Sequence, residues 1–534
     1  EMNWSASDRK NLDKLKHLLV RFLRLQPMYG SHLNTYSATN ASNLPSFKER
    51  DWITLMGSGI NDMGEWPAKR RLYNMLSRLM VRNRAKDVEH ECPLPPLERR
   101  IVSLSMSSLE CMTYNVLQSL IMLNAALSQE KDKDYFFHTG NKKTLASVME
   151  NVAMACFHFA GFEFLRQVQR AHDHILQQLN KPHGVAEQFK QEAVEALYQI
   201  SAALQDQTWR EHVQQGDVLY KAEHPEERLL LSWSRRGSIW LTSEELLFLR
   251  NEYHKKSAHV LDARGLFEEL LRCGAQYKHR KTGCTVSSAT HRSPKTISTP
   301  KRSEPFLSEP SRVPALPAAF DDVLVHTSTS TKLNGILQEI LEAVPGEKVL
   351  VFSTLHQVLN EIAKALELCR VPFLIYVSGM PQHLRNTYVN AFTHESQFRC
   401  LLMSTAIGGS GLDLHCASRI ILTEPIWQWD LESQAVKRAW RIGQTRRVLV
   451  STYVMRHTYE ERVIERKKAR FLNGTDAAEQ LQTLTDDPDM REFLARPHLV
   501  QAPSKKREIT WTRPLLGDPA KLSFVHASKR ARHT

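Results

Sequence analysis

The run Lys348-Val-Leu-Val-Phe-Ser353 decides how the C-terminal half of this chain is read. It is short, rich in β-branched residues and apolar at every position between the lysine and the serine. Such a run suits a strand covered on both faces of a parallel sheet. Reading outward from it, His356 to Cys369 carries apolar residues at helical spacing, and Phe373 to Val377 reads as a second strand. Leu384 to Phe392 predicts a helix, Cys400 to Met403 and Arg419 to Leu422 two strands, Leu431 to Trp440 a helix, and Val448 to Val454 a further strand. This alternation predicts an α/β fold, a parallel sheet with helices on both faces.

Upstream the pattern is mainly helical. Leu12, Leu15, Leu18, Leu19, Phe22 and Leu23 recur at helical spacing, as do apolar positions in Arg71 to Arg84 and Ser108 to Leu127. Only Ile101 to Leu104 alternates like a strand. Between Lys142 and Gln215 the spacing is again helical, and Phe189, Ala193, Leu197, Ile200 and Leu204 fall on one face, as core packing requires. From Lys278 to Pro317 the composition turns to Pro, Ser, Thr, Lys and Arg, too polar to offset its ordering entropy, and a disordered linker is expected.

The 534 residues hold 71 Lys and Arg against 58 Asp and Glu, a formal charge of +13. That excess favours a polyanionic partner such as nucleic acid. From Lys505 to Thr534 there are eight Lys/Arg and two acids, with basic clusters at 505–507 and 529–532 that suit nuclear import, a DNA patch or a solvated tail. No apolar run reaches the roughly 18 residues of a membrane span. The eight cysteines form no Cys-x-x-Cys pair, and Cys273, His279, Cys284 and His291 fit no common metal spacing. No metal site is expected, and ordinary thiols in a reducing, intracellular compartment are.

Two segments carry candidate chemistry. Ser404-Thr405-Ala-Ile-Gly408-Gly409-Ser-Gly411-Leu-Asp413-Leu follows a strand, and its glycines let backbone N–H groups approach a phosphate closely. In Gln434-Ala-Val-Lys-Arg438-Ala-Trp-Arg441-Ile-Gly443-Gln444 the two arginines are three apart, on one face if the segment is helical. Paired guanidiniums suit the charge of a phosphoryl group in transfer. Taken singly, the first is equally a flexible turn and the second a surface ion-pair motif.

Together, with Trp427 and Glu432 between them, the two segments resemble the second RecA-like lobe of Swi/Snf-family DNA translocases. Ser330-Thr-Lys332-Leu, Val349 to Ser353, Gly379, Arg385 and Phe392 agree with the same family, so the resemblance runs from about 330 to 468. It implies that Arg438 and Arg441 are arginine fingers reaching ATP on the opposite lobe. It implies that Gln434 and Gln444 couple nucleotide state to lobe closure, and that Gly408, Gly409, Gly411 and Asp413 line the nucleotide- and DNA-facing loop. Ser353 and Thr405 are then hydroxyls for the DNA phosphate backbone, and Trp427 lies beside the lobe interface. Three positions depart from the family. Asp413 stands for Asn, Ala406 for a basic residue and Gln428-Trp429 for Asn-Pro; the first two are each expected to weaken a phosphate contact.

More loosely, Leu18 to Pro27 resembles the helix that closes the first lobe, and Leu79 to Pro96 the segment leaving it. The domains expected are 1–121 as the end of the first lobe and protrusion, 122–277 as a helical insertion, 278–320 as linker, 321–470 as the helicase C-terminal lobe and 471–534 as a basic tail. No Gly-x-x-x-x-Gly-Lys-Ser/Thr and no Asp-Glu-x-His occurs, so no phosphate cradle is recognisable. The chain is expected to be the C-terminal part of a longer enzyme and not to turn over ATP by itself. ATP and Mg2+ would be held mainly by a first RecA-like lobe, in cis or in trans. The function expected is that of a nuclear DNA-dependent ATPase acting on double-stranded DNA or chromatin. The alternatives are a non-catalytic DNA- or chromatin-binding scaffold and a subunit lending its fingers to a separate first lobe.

Overall fold

The computed structural model describes residues 14–15, 17–18, 73–74, 76–77, 91–127, 142–181, 185, 187–235, 237–257, 259, 262–283, 323–405, 412–472, 490, 493–494, 498–502 and 508–516. The chain divides into two compact units, 1–94 with 467–482, and 95–466 with 483–534. In the first, the described residues 73–74 and 76–77 are helical, and Ser77 Oγ donates to the Asn74 carbonyl at 3.0 Å. The candidate helix at Leu12 to Leu23, the glycines Gly408, Gly409 and Gly411, and the linker up to 317 lie wholly or largely outside the described residues.

The second unit opens with β1 (Leu97–Leu104) and a helical layer: α1 (Ser108–Leu127), α2 (Lys142–Ala155), α3 (Phe162–Leu179), α4 (Lys190–Gln205) and α5 (Gln207–Gln215). There follow β2 (Leu219–Glu223), α6 (Glu227–Trp233), β3 (Trp240–Thr242), α7 (Ser243–Ser257), α8 (Ala263–Gly283) and β4 (Leu324–Ser328). The alternating part is α9 (Thr331–Ala343), β5 (Val349–Ser353), α10 (His356–Leu368), β6 (Phe373–Tyr376), α11 (Gln382–His394), β7 (Cys400–Ser404), β8 (Arg419–Leu422), α12 (Trp429–Val436) and β9 (Val448–Met455). Helix α13 (Tyr459–Leu472), up to Arg466, and the short β10 (Arg513–Pro514) complete it.

The main sheet has the order β1-β9-β8-β5-β7-β6 and is parallel throughout. Every residue of β5 and β7 is buried, the burial on both faces that their apolar runs predict. One face of β5 joins α9 and α10 in a core with Leu337, Ile340 and Ile362; the other joins α11 and α12 around Phe392, Ala435 and Val436. This is the RecA-like α/β lobe expected. The chain leaves β5 on one side for β6 and β7 and on the other for β8 and β9, a switch point of the kind at whose carboxyl ends open α/β sheets bind ligands. In the helical layer, Ala193, Ala196, Ile200 and Ala203 of α4 are buried, with Phe189, Leu197 and Leu204 packed against the same core.

Three placements differ from expectation. The strand at 101–104 begins four residues earlier, at Leu97, and pairs parallel with β9 over eight residues as an edge of the main sheet. Within 122–277, β2 and β3 belong to a second sheet of order β10-β4-β2-β3, antiparallel between neighbours. Part of the basic tail is folded: Trp511 N–H donates to the His326 carbonyl at 2.6 Å, Leu515 N–H to Val323, and Leu515 and Leu516 have no exposed surface. The apolar triad Trp511, Leu515 and Leu516 gives that segment something to bury despite its charged surroundings.

Candidate functional site

Polar residues cap the carboxyl ends of the central strands: Ser353 and Thr354 after β5, Ser404 and Thr405 after β7, Thr423 and Glu424 after β8. They converge on one carboxylate. Glu424 is buried and accepts from Ser353 Oγ at 3.0 Å and Thr354 Oγ1 at 2.8 Å, and also from the Thr354 backbone N–H and Thr423 Oγ1. Ser353 has no solvent-exposed surface, and its Oγ also accepts from Leu355 N–H at 3.1 Å. Thr405 N–H donates to the Ser353 carbonyl at 3.0 Å, so the two hydroxyl residues assigned to DNA are neighbours. Ser404 Oγ is buried with no hydrogen-bond partner among the described residues. Sequence reasoning missed Glu424; its signal was an acid placed directly after a buried apolar strand.

The arginines stand elsewhere on the lobe, and not on a helix. Helix α12 ends at Val436 with Lys437 as its cap, and residues 437–443 form successive turns. Gly443 has φ +99°, a conformation that favours glycine, which lets the chain reverse into β9. Arg438 is buried and Arg441 half-exposed. Burial pulls the Arg438 guanidinium below its ordinary pKa, Tyr376 opposes that pull, and the Arg441 charge adds to it. An arginine so shifted still carries its charge at neutral pH.

This turn is laced to the residues that follow the glycine-rich loop. Leu414 N–H donates to the Arg438 carbonyl at 3.0 Å, and Arg441 Nε lies 3.7 Å from Asp413 Oδ1. Asp413 Oδ1 is also 2.8 Å from His415 Nδ1. Partial burial raises the Asp413 pKa, but the His415 hydrogen bonds and the Arg441 charge outweigh it and hold the carboxyl below its usual range. Gln444 is buried, and its Nε2 lies 2.8–3.1 Å from the carbonyls of His415, Ala417 and Ala439 while Oε1 accepts from Arg446 N–H. Gln444 thus pins the turn to the 412–417 loop. Gln434 is exposed on α12, and Trp427 is half-buried against the helical-layer core.

A second missed cluster lies behind the sheet. The buried Glu339 carboxylate meets Arg100 at 2.8 Å, Arg419 at 3.2 Å, Ser451 Oγ at 2.7 Å and Tyr453 OH at 2.8 Å, joining α9 to β1, β8 and β9. Lys332, at the start of α9, forms an ion pair of 2.5 Å with Glu460 of α13, both fully buried.

Residues 331–443 match the helicase conserved C-terminal domain. The DNA repair protein rad8 of Schizosaccharomyces pombe is 33% identical over 172 residues, covering 31% of this chain and 15% of rad8. The DNA excision repair protein CSB of Oryza sativa subsp. japonica is 34% identical over 152 residues, covering 28% of this chain and 12% of CSB. The solved C-terminal part of the Fun30 ATPase domain aligns over 75% of this chain and 96% of its own, at 16% identity and a TM-score of 0.37. The matched segments thus span 12–15% of the length of these two relatives. Residues 331–443 are thus a helicase C-terminal domain, and the segment around them is similar to Snf2-type, helicase-like proteins.

Proposed function

We propose that this chain supplies the second lobe, residues 321–470, of a nuclear ATP-dependent DNA translocase of the DNA-repair or chromatin-remodelling type. The relatives named above support the class, and the placement of Arg438 and Arg441 is the observation that carries the mechanism. Two guanidiniums share one turn, and that turn is tied through Asp413, Leu414 and Gln444 to the loop after the three glycines. Fixed cations beside such a loop suit a polyphosphate.

In this reading ATP is held by a first RecA-like lobe, whose phosphate-binding lysine lies outside these 534 residues. Bound ATP supplies the phosphoryl transfer that drives each step. Arg438 and Arg441 neutralise charge that spreads over the transferring group, and Gln444 keeps their turn in place. Mg2+ would accompany ATP on that first lobe. In this reading Thr405 and the glycine segment contact the DNA backbone, with phosphate contacts that position the lobe without reading sequence; Ser353 is fully buried with its Oγ on Glu424, and its part is to hold Thr405 through its own carbonyl.

The test is ATP turnover by the full-length protein with duplex DNA present. Arg438→Ala or Arg441→Ala is expected to lower kcat by roughly 10³-fold or more, with DNA affinity nearly unchanged. Unchanged turnover in both variants refutes the finger assignment.

A further inference from the structure

The segment Pro95 to Leu104 enters the second unit and is fastened along its first half to the arginine turn and to the elements that flank it, α12 and the start of β9. Trp440 Nε1–H donates to the Pro95 carbonyl at 2.8 Å, and Val448 N–H donates to the Pro96 carbonyl at 3.0 Å. Glu98 pairs with Arg447. Arg99 pairs with Glu432 of α12 at 2.6 Å and lies over the Trp429 ring, 5.3 Å from its centroid. These anchors bracket the fingers. Glu432 and Trp429 precede Arg438, Trp440 stands between Arg438 and Arg441, and Arg447 and Val448 follow. Because side chains alternate along a strand, Arg99 reaches α12 while Arg100 reaches Glu339 beneath the sheet, which holds the strand from both faces.

The boundary between the two compact units falls between Leu94 and Pro95, at the start of this fastened segment. Beside the backbone pairing with β9, the bonds of Trp440, Arg447 and Glu432 are side-chain contacts that sheet pairing does not require.

We infer that Pro95 to Leu104 acts as a strap that sets the position of the arginine turn, with Arg99 and Trp440 as positioning residues for Arg438 and Arg441. This rests on the finger assignment proposed above for its catalytic consequence, but not for its structural one.

Two measurements on the full-length protein test it. In the first, hydrogen exchange of the 437–448 amides is compared among wild type, Trp440→Phe and Arg99→Ala. Trp440→Phe keeps the ring and removes only the donor to Pro95. Both variants are expected to speed exchange there by roughly fivefold, the equivalent of one net hydrogen bond, and to leave β4 unchanged. In the second, kcat is expected to fall about 10–100-fold with KM for ATP nearly constant, the pattern of a misplaced transition-state group. Unaltered exchange and kcat in both variants overturn the strap. If Arg438→Ala leaves turnover intact while the exchange result holds, the finger assignment fails and the strap stands as a structural connection.

Discussion

Replacing Lys332 with methionine isolates one buried charge and converts it into a pH signature. Lys332 and Glu460 are 2% and 0% exposed at the side chain, 2.5 Å apart, and Glu460 also accepts from Met455 N–H at 2.8 Å. Burial raises the Glu460 pKa, and the Lys332 charge and hydrogen bond pull against that rise. Without the lysine, the carboxylate has to take up a proton to remain buried. At pH 7, protonating a carboxyl whose unfolded pKa is about 4.3 costs roughly 2.7 pH units at 1.36 kcal/mol each, about 4 kcal/mol. That agrees with the ~3–5 kcal/mol typical of breaking a buried pair. The sign follows from the raised folded pKa: the variant's deficit is absent below the unfolded pKa and grows as pH rises above it. The loss should therefore shrink to about 2 kcal/mol at pH 5.5. Urea unfolding of wild type and Lys332→Met at both pH values measures it. The double variant Lys332→Met/Glu460→Gln should recover most of the deficit at pH 7. A loss below about 1 kcal/mol at pH 7, or one that does not change between the two pH values, refutes the argument.

Two further outcomes are expected. His158 is buried, with Nε2 3.2 Å from the Gly216 carbonyl, and burial lowers its pKa to about 4. Its folded pKa lies below the unfolded one, so its contribution is present above pH ~6.5 and is lost as pH falls toward 4; urea midpoints across that range should fall less steeply in His158→Gln. In the C-terminal segment, deleting 517–534 should flatten the salt dependence of DNA binding without lowering the melting temperature. Deleting 508–534 should destabilise the second sheet by ~4 kcal/mol or more, because it removes the buried Trp511, Leu515 and Leu516; equal melting temperatures for the two deletions would contradict the burial.

The lobe was readable from sequence because its central strands are covered on both faces, which leaves runs such as Val349 to Phe352 with no polar position to mislead. Strand β1 was cut short for the converse reason. It lies at an edge, so Glu98, Arg99 and Arg100 are exposed and break the alternation while hydrogen-bonding as strand. The second sheet was invisible because β3 spans only three residues and Tyr220 of β2 pairs with Ser328, far along the chain, where no local pattern reports the partner. At the arginines, the i, i+3 spacing was correct and the helix was not. Helix α12 stops two residues before Arg438, and the turn is fixed by contacts with residues distant in sequence: Arg441 with Asp413, and Gln444 with His415 and Ala417. The residues that bind Ser353 and Arg99 in place, Glu424 and Glu432, come from other elements, and nothing in the spacing pairs them.

The second sheet also imposes an order of events on biosynthesis. Thr327 Oγ1, on β4, donates to the Ile509 carbonyl across 182 residues of chain, and β10 pairs beside it. At a synthesis rate of ~5–20 residues per second, strand β4 waits roughly ten to forty seconds for its neighbour to emerge. During that interval its outer edge offers unpaired N–H and C=O groups to any other strand nearby. A nascent chain stalled after β9 and before β10 would therefore carry an open edge on the second sheet beside a main sheet whose strands have all been made, which makes this interval the natural one for chaperone engagement or for aggregation between polysomes.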